Sequence, residues 1–324
     1  MVLFLVNISF GSVTIPLKEV YASLTGGEVT KSSWDYIILN YRLPKAITAV
    51  LVGMGLSITG LLMQTLFRNP LAGPYVLGLS SGASLGVAFV ILGASLLPSF
   101  LNYLVLSPYG IVLASTLGST LVLFLVVVVS QRLRDTMAIL IVGLMFGSFT
   151  SAIVGVLTFF SSAEQLQKFT FWSLGNLGSM SWTTIGILAV CVLVGLVLSL
   201  GSVKSLNTLL LGENYAKSLG LNVNRIRLVI IFATGILAGS ITAFAGPIAF
   251  IGLAVPHIAK LFFQTSNHKV LFWSTLLLGA IILLFCDLFS QMPGYDVTLP
   301  INAVTSLVGA PVVIWLLVRK RNYR

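Results

Sequence analysis

Apolar runs, several approaching 20 residues, recur along almost the whole chain, at roughly 43–67, 75–97, 104–130, 137–160, 182–203, 226–250, 251–263, 270–290 and 300–318. Wound as an α-helix, about 20 such residues match a bilayer's hydrocarbon thickness, whereas barrel strands would alternate polarity over about 10. Inside lipid every backbone amide must bond within its own segment, so the runs predict helices and little else. With the apolar opening MVLFLVNISFG, which is about half a span long, they predict an all-α polytopic membrane protein of about ten transmembrane helices. Composition agrees: 8% of the 324 residues are charged, against about 25% in soluble domains, too few to cover a globular surface. Cys191 and Cys286 both fall inside apolar runs, which predicts packing residues rather than a disulfide or a zinc site. Residues 1–324 are expected to form one transmembrane domain; for its half-length opening, either the true start lies upstream of Met1 or the first helix is cut short.

The longest polar interruption near the middle is KSLNTLLLGENYAKSLGLNVNRIR, residues 204–227. Within it Glu213–Leu219 predicts a short helix, with Glu213 in the first turn, Lys217 four residues on, and Gly220 as its C-terminal stop. A short capped helix between two spans lies at the bilayer surface, either as an ordinary loop or shaped to fit a cleft on a soluble partner. Placing it on the cytoplasmic side assigns thirteen Lys and Arg to that side and leaves five (Lys18, Lys31, Arg42, Lys45 and Lys168) opposite. That is a strong positive-inside bias. Both termini are then expected in the cytoplasm, provided the first segment crosses. GLSITG at 55–60 recurs loosely as GSITAFAG at 239–246, in segments predicted to run in opposite directions, the pattern of two inverted pseudo-repeated halves.

Few residues suggest chemistry. Gly78-Leu79-Ser80-Ser81-Gly82 fits the G-x-S-x-G nucleophile pattern, but that pattern requires a strand before it and a histidine partner. Only His257 and His268 are present, both at predicted helix ends, so close helix packing through small residues accounts better for the match. Gly143, Gly147, Ser151 and Gly155 repeat every four residues, fitting a packing stripe or a helix lining a wide path. Asp287 is the single acidic residue inside an apolar run and reads as lone, without a buried basic partner. Arg42 and Lys45 sit at an outer helix mouth, where either an acidic external partner or snorkelling explains them. No Walker motif and no metal-spaced His/Cys cluster occurs, so neither ATP hydrolysis nor a bound metal or cofactor is expected of this chain.

Several stretches together resemble the permease of a type II ABC importer of the iron-chelate and vitamin B12 family. They are Arg42–Gly86, Leu209–Arg227, Ala245–Leu261 (AGPIAFIGLAVPHIAKL) and Leu299–Leu317. The resemblance implies a dimer of ten-helix subunits with the path between them, two cytoplasmic ATPase subunits that bind ATP and magnesium, and an external substrate-binding protein. It implies an ATPase-coupling helix at Leu211, Gly212, Glu213, Ala216, Lys217, Leu219 and Gly220. It further implies a binding-protein docking pair at Arg42 and Lys45, a cytoplasmic gate at Asn69, Leu71, Thr136 and Met137, and path-lining residues Gly143, Gly147 and Ser151, with the last helix also lining the path. Lys45 stands where Arg is common, and Gln291 where some members carry a further docking Arg. The implied cargo is an iron chelate (ferric siderophore or haem) or cobalamin. The rival readings are an ion-driven carrier and an intramembrane hydrolase using Ser80 or Ser81.

Overall fold

One helix, α4 (Leu43–Leu66), forms the axis of the molecule. The computed structural model describes residues 1–73, 78–93, 107–132, 136–292 and 297–321. Before α4 come α1 (Val2–Ser9), α2 (Leu17–Thr25) and α3 (Ser32–Ile37); after it come α5 (Leu79–Ile91), α6 (Pro108–Arg132), α7 (Thr136–Phe159) and α8 (Ala163–Ser173). The second half comprises α9 (Trp182–Gly201), α10 (Val203–Leu210), α11 (Glu213–Ser218), α12 (Val223–Ala245), α13 (Ile251–Phe263), α14 (His268–Ser290) and α15 (Ile301–Arg321). Six helical stretches among the described residues are long and apolar enough to span a membrane: Ser32–Leu66 and those within α6, α7, α9, α12 and α14. Three shorter apolar helices, Leu79–Ile91, Ile251–Phe263 and Ile301–Trp315, accompany them.

Burial sorts these helices. In α4, α12 and α14 most of the apolar stretch is inside the chain's own core, whereas only 11% of that in α7 is. The core helices approach through backbone rather than side chains. A methyl group on Gly53 would lie 2.3 Å from the Gly279 carbonyl of α14, and one on Gly279 would lie 2.4 Å from that of Gly53. Such close approach, with dispersion contacts and Cα–H···O bonds, binds helices where lipid supplies no hydrophobic drive.

Pro256 lies inside α13 rather than at a helix boundary, where proline is better tolerated. The reason is tertiary. Proline has no N–H for the carbonyl four residues back, Gly252, and that carbonyl is the group α4 packs on: a methyl on Gly60 would stand 1.6 Å from it. A second irregularity prepares α4 itself. A π-turn at Ile38–Arg42 bonds the Leu43 amide to the Ile38 carbonyl, five residues back. Leu39, its ordinary helical partner, is released, and its carbonyl accepts from Trp182 Nε1 at 3.2 Å.

The two ends of the molecule are distinct. At one, Arg68 after α4 donates to the Leu209 carbonyl (2.9 Å) and Thr65 meets His268 Nε2 (2.8 Å). At the other, the start of α4 meets the end of α14 through Lys45 and Asp287, and the Asn176 amide bonds the Ala245 carbonyl at the end of α12. Helices α4 and α12 therefore run in opposite directions. Each leads into a 13-residue helix, α5 or α13, whose N-cap, Gly78 or Phe250, has left-handed backbone.

Candidate functional site

The 203–221 connection forms two short helices, and its geometry is locally dictated. Gly212, at φ 115°, breaks α10 from α11, and Gly220, at φ 81°, ends α11. The Gly220 amide bonds the Lys217 carbonyl (2.9 Å) and the Leu221 amide bonds that of Ala216 (3.0 Å). This is a Schellman closure, which needs a residue tolerant of left-handed backbone at Gly220. Ala216 is fully buried beneath the helix. Glu213 does not pair with Lys217 along the helix; its Oε1 accepts from Arg227 on α12 at 3.1 Å. The Arg227 side chain is only 9% exposed, so this carboxylate neutralises a nearly buried guanidinium and ties α11 to a spanning helix. On the outward face Leu211, Tyr215 and Leu219, four residues apart, are 64, 56 and 60% exposed. An apolar ridge therefore rests on a rigid mount.

Of the residues expected at a gate, Asn69 and Leu71 lie in the loop after α4. Leu71 N bonds Asn69 Oδ1 (2.9 Å), an Asx turn that fixes the loop after α4, and the Pro70 carbonyl accepts from His257 Nε2 at 2.8 Å. Leu71 projects outward, 43% exposed. Thr136 and Met137 open α7; their side chains lie outside the described residues. Of the glycine stripe on α7, Gly143 and Gly147 pack against Gly78 and Ser81 at the start of α5, whereas a methyl on Gly155 would meet nothing within 4 Å and Ser151 is exposed. One face of small residues thus serves packing along part of its length and stays open along the rest.

At the opposite end the two cations expected at the surface are turned inward. Arg42 is 9% exposed. Its guanidinium donates to the carbonyls of Ile8 and Ser9, both at 2.8 Å, and to that of Val13. Ile8 and Ser9 are the last residues of α1, whose terminal carbonyls lack helical partners and carry the negative end of the helix dipole. Arg42 is therefore a helix cap. Lys45 Nζ lies 3.0 Å from Asp287 Oδ1, an ionic contact without hydrogen-bond alignment. Asp287 Oδ2 accepts from Asn7 Nδ2 (3.0 Å) and Gln291 Nε2 (2.9 Å). Asp287 is thus not lone, and Gln291 is spent within the same cluster. This polar knot joins α1, α4 and α14 and borders a cavity of about 300 Å³ walled by Phe171, Leu174, Asn176 and Pro300.

Among the described residues neither Ser80 nor Ser81 is paired with a histidine. His257 Nε2 donates to a carbonyl, His268 is held by Thr65 and Asn207, and the buried Ser80 hydroxyl has no hydrogen-bond partner among the described residues. Both cysteines are free.

Antiparallel apolar helices packed through glycine, with a capped helix exposed between two spans, define a polytopic helical membrane protein. The fold matches a metal-chelate type ABC transporter solved in an inward-facing conformation, with TM-score 0.85 and 27% identity over 98% of this chain and 96% of that one. Among sequence relatives, the hemin transport system permease HmuU of Yersinia pestis is 34% identical over 326 residues, covering 100% of this chain and 96% of the relative. The vitamin B12 import permease BtuC of Klebsiella pneumoniae is 34% identical over 321 residues, 97% of this chain and 94% of the relative. Residues 1–319 match the FecCD transport family, and the chain belongs to it. It is a membrane-spanning permease subunit of the ABC transporter type, and the family is one of subunits that are not themselves enzymes.

Proposed function

We propose that the chain is the membrane path of an importer in the bacterial cytoplasmic membrane, paired with a second permease copy and driven by two ATPase subunits seated on the α10–α11 end. The observation that carries this reading is the Leu211–Tyr215–Leu219 ridge on a Schellman-capped helix clamped to α12 by Glu213–Arg227, next to α10, whose Leu209 carbonyl is held by Arg68 after α4. A soft loop would absorb a partner's movement; this mount passes it into spanning helices. The end with the capped helix is cytoplasmic, as are both termini, and an external binding protein meets the Lys45–Asp287 end. ATP and magnesium belong to the partners, and this chain holds no cofactor.

Helix α7, little buried within the chain, is covered by the second copy, with Gly143, Gly147 and Ser151 beside the path. Asn69, Leu71, Thr136 and Met137 form the cytoplasmic gate. Cargo is an iron chelate, ferric siderophore or haem; the vitamin B12 relative, equally identical, keeps cobalamin as the second reading. For such a machine the states must differ in their contacts with each partner, since a partner shifts an equilibrium only through differential affinity. Co-purification with the ATPase tests the assignment: Tyr215→Glu with Leu219→Glu abolishes it while the folded chain persists, and unchanged co-purification refutes it. Uptake of labelled ferric chelate, haem and cobalamin by cells carrying the complete system selects the cargo.

A further inference from the structure

A second feature lies beside the capped helix. Helices α9 and α12 pack tightly at mid-length, where a methyl on Gly195 would come within 2.4 Å of Leu237. They part towards their α10–α11 end and leave a groove of about 480 Å³, within the roughly 300–1,000 Å³ typical of ligand sites. Its lining is apolar at Val197, Leu198, Ile226 and Val229 and polar at Ser202, Asn222 and Arg225. No carboxylate lines it. Arg225 is exposed and has no ion pair among the described residues, while the nearby acid, Glu213, is committed to Arg227.

We propose that this groove holds one anionic phospholipid, an acyl chain between α9 and α12 and the headgroup phosphate on Arg225. Two observations choose this occupant. The groove continues the exposed apolar face of α9 (Val190, Leu193, Val194 and Val197), so what enters it comes from the bilayer. Its charged group, a lone cation at the ends of two spans, sits at headgroup depth, where basic pockets between spanning helices select anionic lipid. The site does not depend on which leaflet is cytoplasmic. Because Gly220 and Leu221 also line the groove, the lipid bears on the turn that closes α11.

Native mass spectrometry of the delipidated full-length protein, titrated with phosphatidylglycerol or phosphatidylcholine, tests this. Wild type retains phosphatidylglycerol about tenfold more strongly, equivalent to about 1.4 kcal/mol. Arg225→Gln removes the preference. Gly201→Leu, whose side chain enters space where a methyl meets nothing within 4 Å, lowers retention of both lipids. Equal retention of the two lipids by wild type overturns the proposal, as does a preference unchanged in both variants. Displacement by free glycerol phosphate would show a mere anion pocket and also overturn it. Should the variants fail to fold, amide exchange of wild type decides: residues 220–229 are protected in phosphatidylglycerol relative to phosphatidylcholine, and no difference refutes the site.

Discussion

The ion pair at the end of α4 makes an asymmetric prediction. Asp287 is 1% exposed at its side chain and Lys45 19%, so the two partners have different escape routes when the pair is broken. At 3.0 Å and an effective dielectric of about 20, the bare attraction is about 5–6 kcal/mol, an upper bound before desolvation. Lys45→Met strands a buried carboxylate, which costs about 3 kcal/mol, the low end of the usual loss because Asn7 and Gln291 still hold Oδ2. Asp287→Asn strands only a lysine whose ammonium can swing to the adjoining cavity, and it costs about 1–2 kcal/mol. The double variant loses no more than about 2 kcal/mol, because the orphaned charge is gone from both sides. Reversible unfolding in mixed detergent micelles, followed by tryptophan fluorescence, measures all three. Equal losses from the single variants, or a neutral Lys45→Met, would refute the argument and return Lys45 to the surface as a free cation.

Other outcomes follow from the same geometry. Gly60→Ala drives a methyl into the Gly252 carbonyl, 1.6 Å away; a backbone atom cannot step aside, so the variant loses at least about 3 kcal/mol, or fails to fold, in the same unfolding assay. Glu213→Arg sets a second cation against Arg227 and lowers ATP-driven uptake at least tenfold, whereas Glu213→Arg with Arg227→Glu recovers part of it; uptake measured in cells decides. Thr30 donates its amide (2.9 Å) and hydroxyl (2.7 Å) to Glu19, and these bonds hold the Glu19 carboxyl below its ordinary value of 4.5. The folded pKa being the lower one, the contribution is complete above the unfolded value and is lost as pH falls through the folded value. Exchange protection of the Thr30 amide should fall over that acid window, and a protection flat with pH contradicts it.

What the sequence made legible was local. The stop at Gly220 comes from a glycine signal that acts within a turn. AGP at 72–74 and again at 245–247 is a clearer trace of the two halves than the GLSITG pair, for it precedes the paired 13-residue helices. What stayed hidden was decided by distant partners. Arg42 reads as a surface cation because the carbonyls it caps lie 29–34 residues earlier. Asp287 reads as lone because Lys45 belongs to another span. Glu213 has a plausible partner at Lys217, and only the packing of α11 on α12 brings Arg227 closer. Pro256 reads as a helix boundary until Gly60 is seen to occupy the carbonyl it frees.

The central claim is that the chain does no work of its own and receives it through α11. Reconstituting the purified chain in vesicles, alone under imposed proton or sodium gradients and then with its ATPase and binding protein, measures this directly. The account predicts accumulation of cargo against its gradient only in the complete system with ATP, and its loss when Glu213–Gly220 is deleted. Uphill accumulation by the chain alone would contradict it.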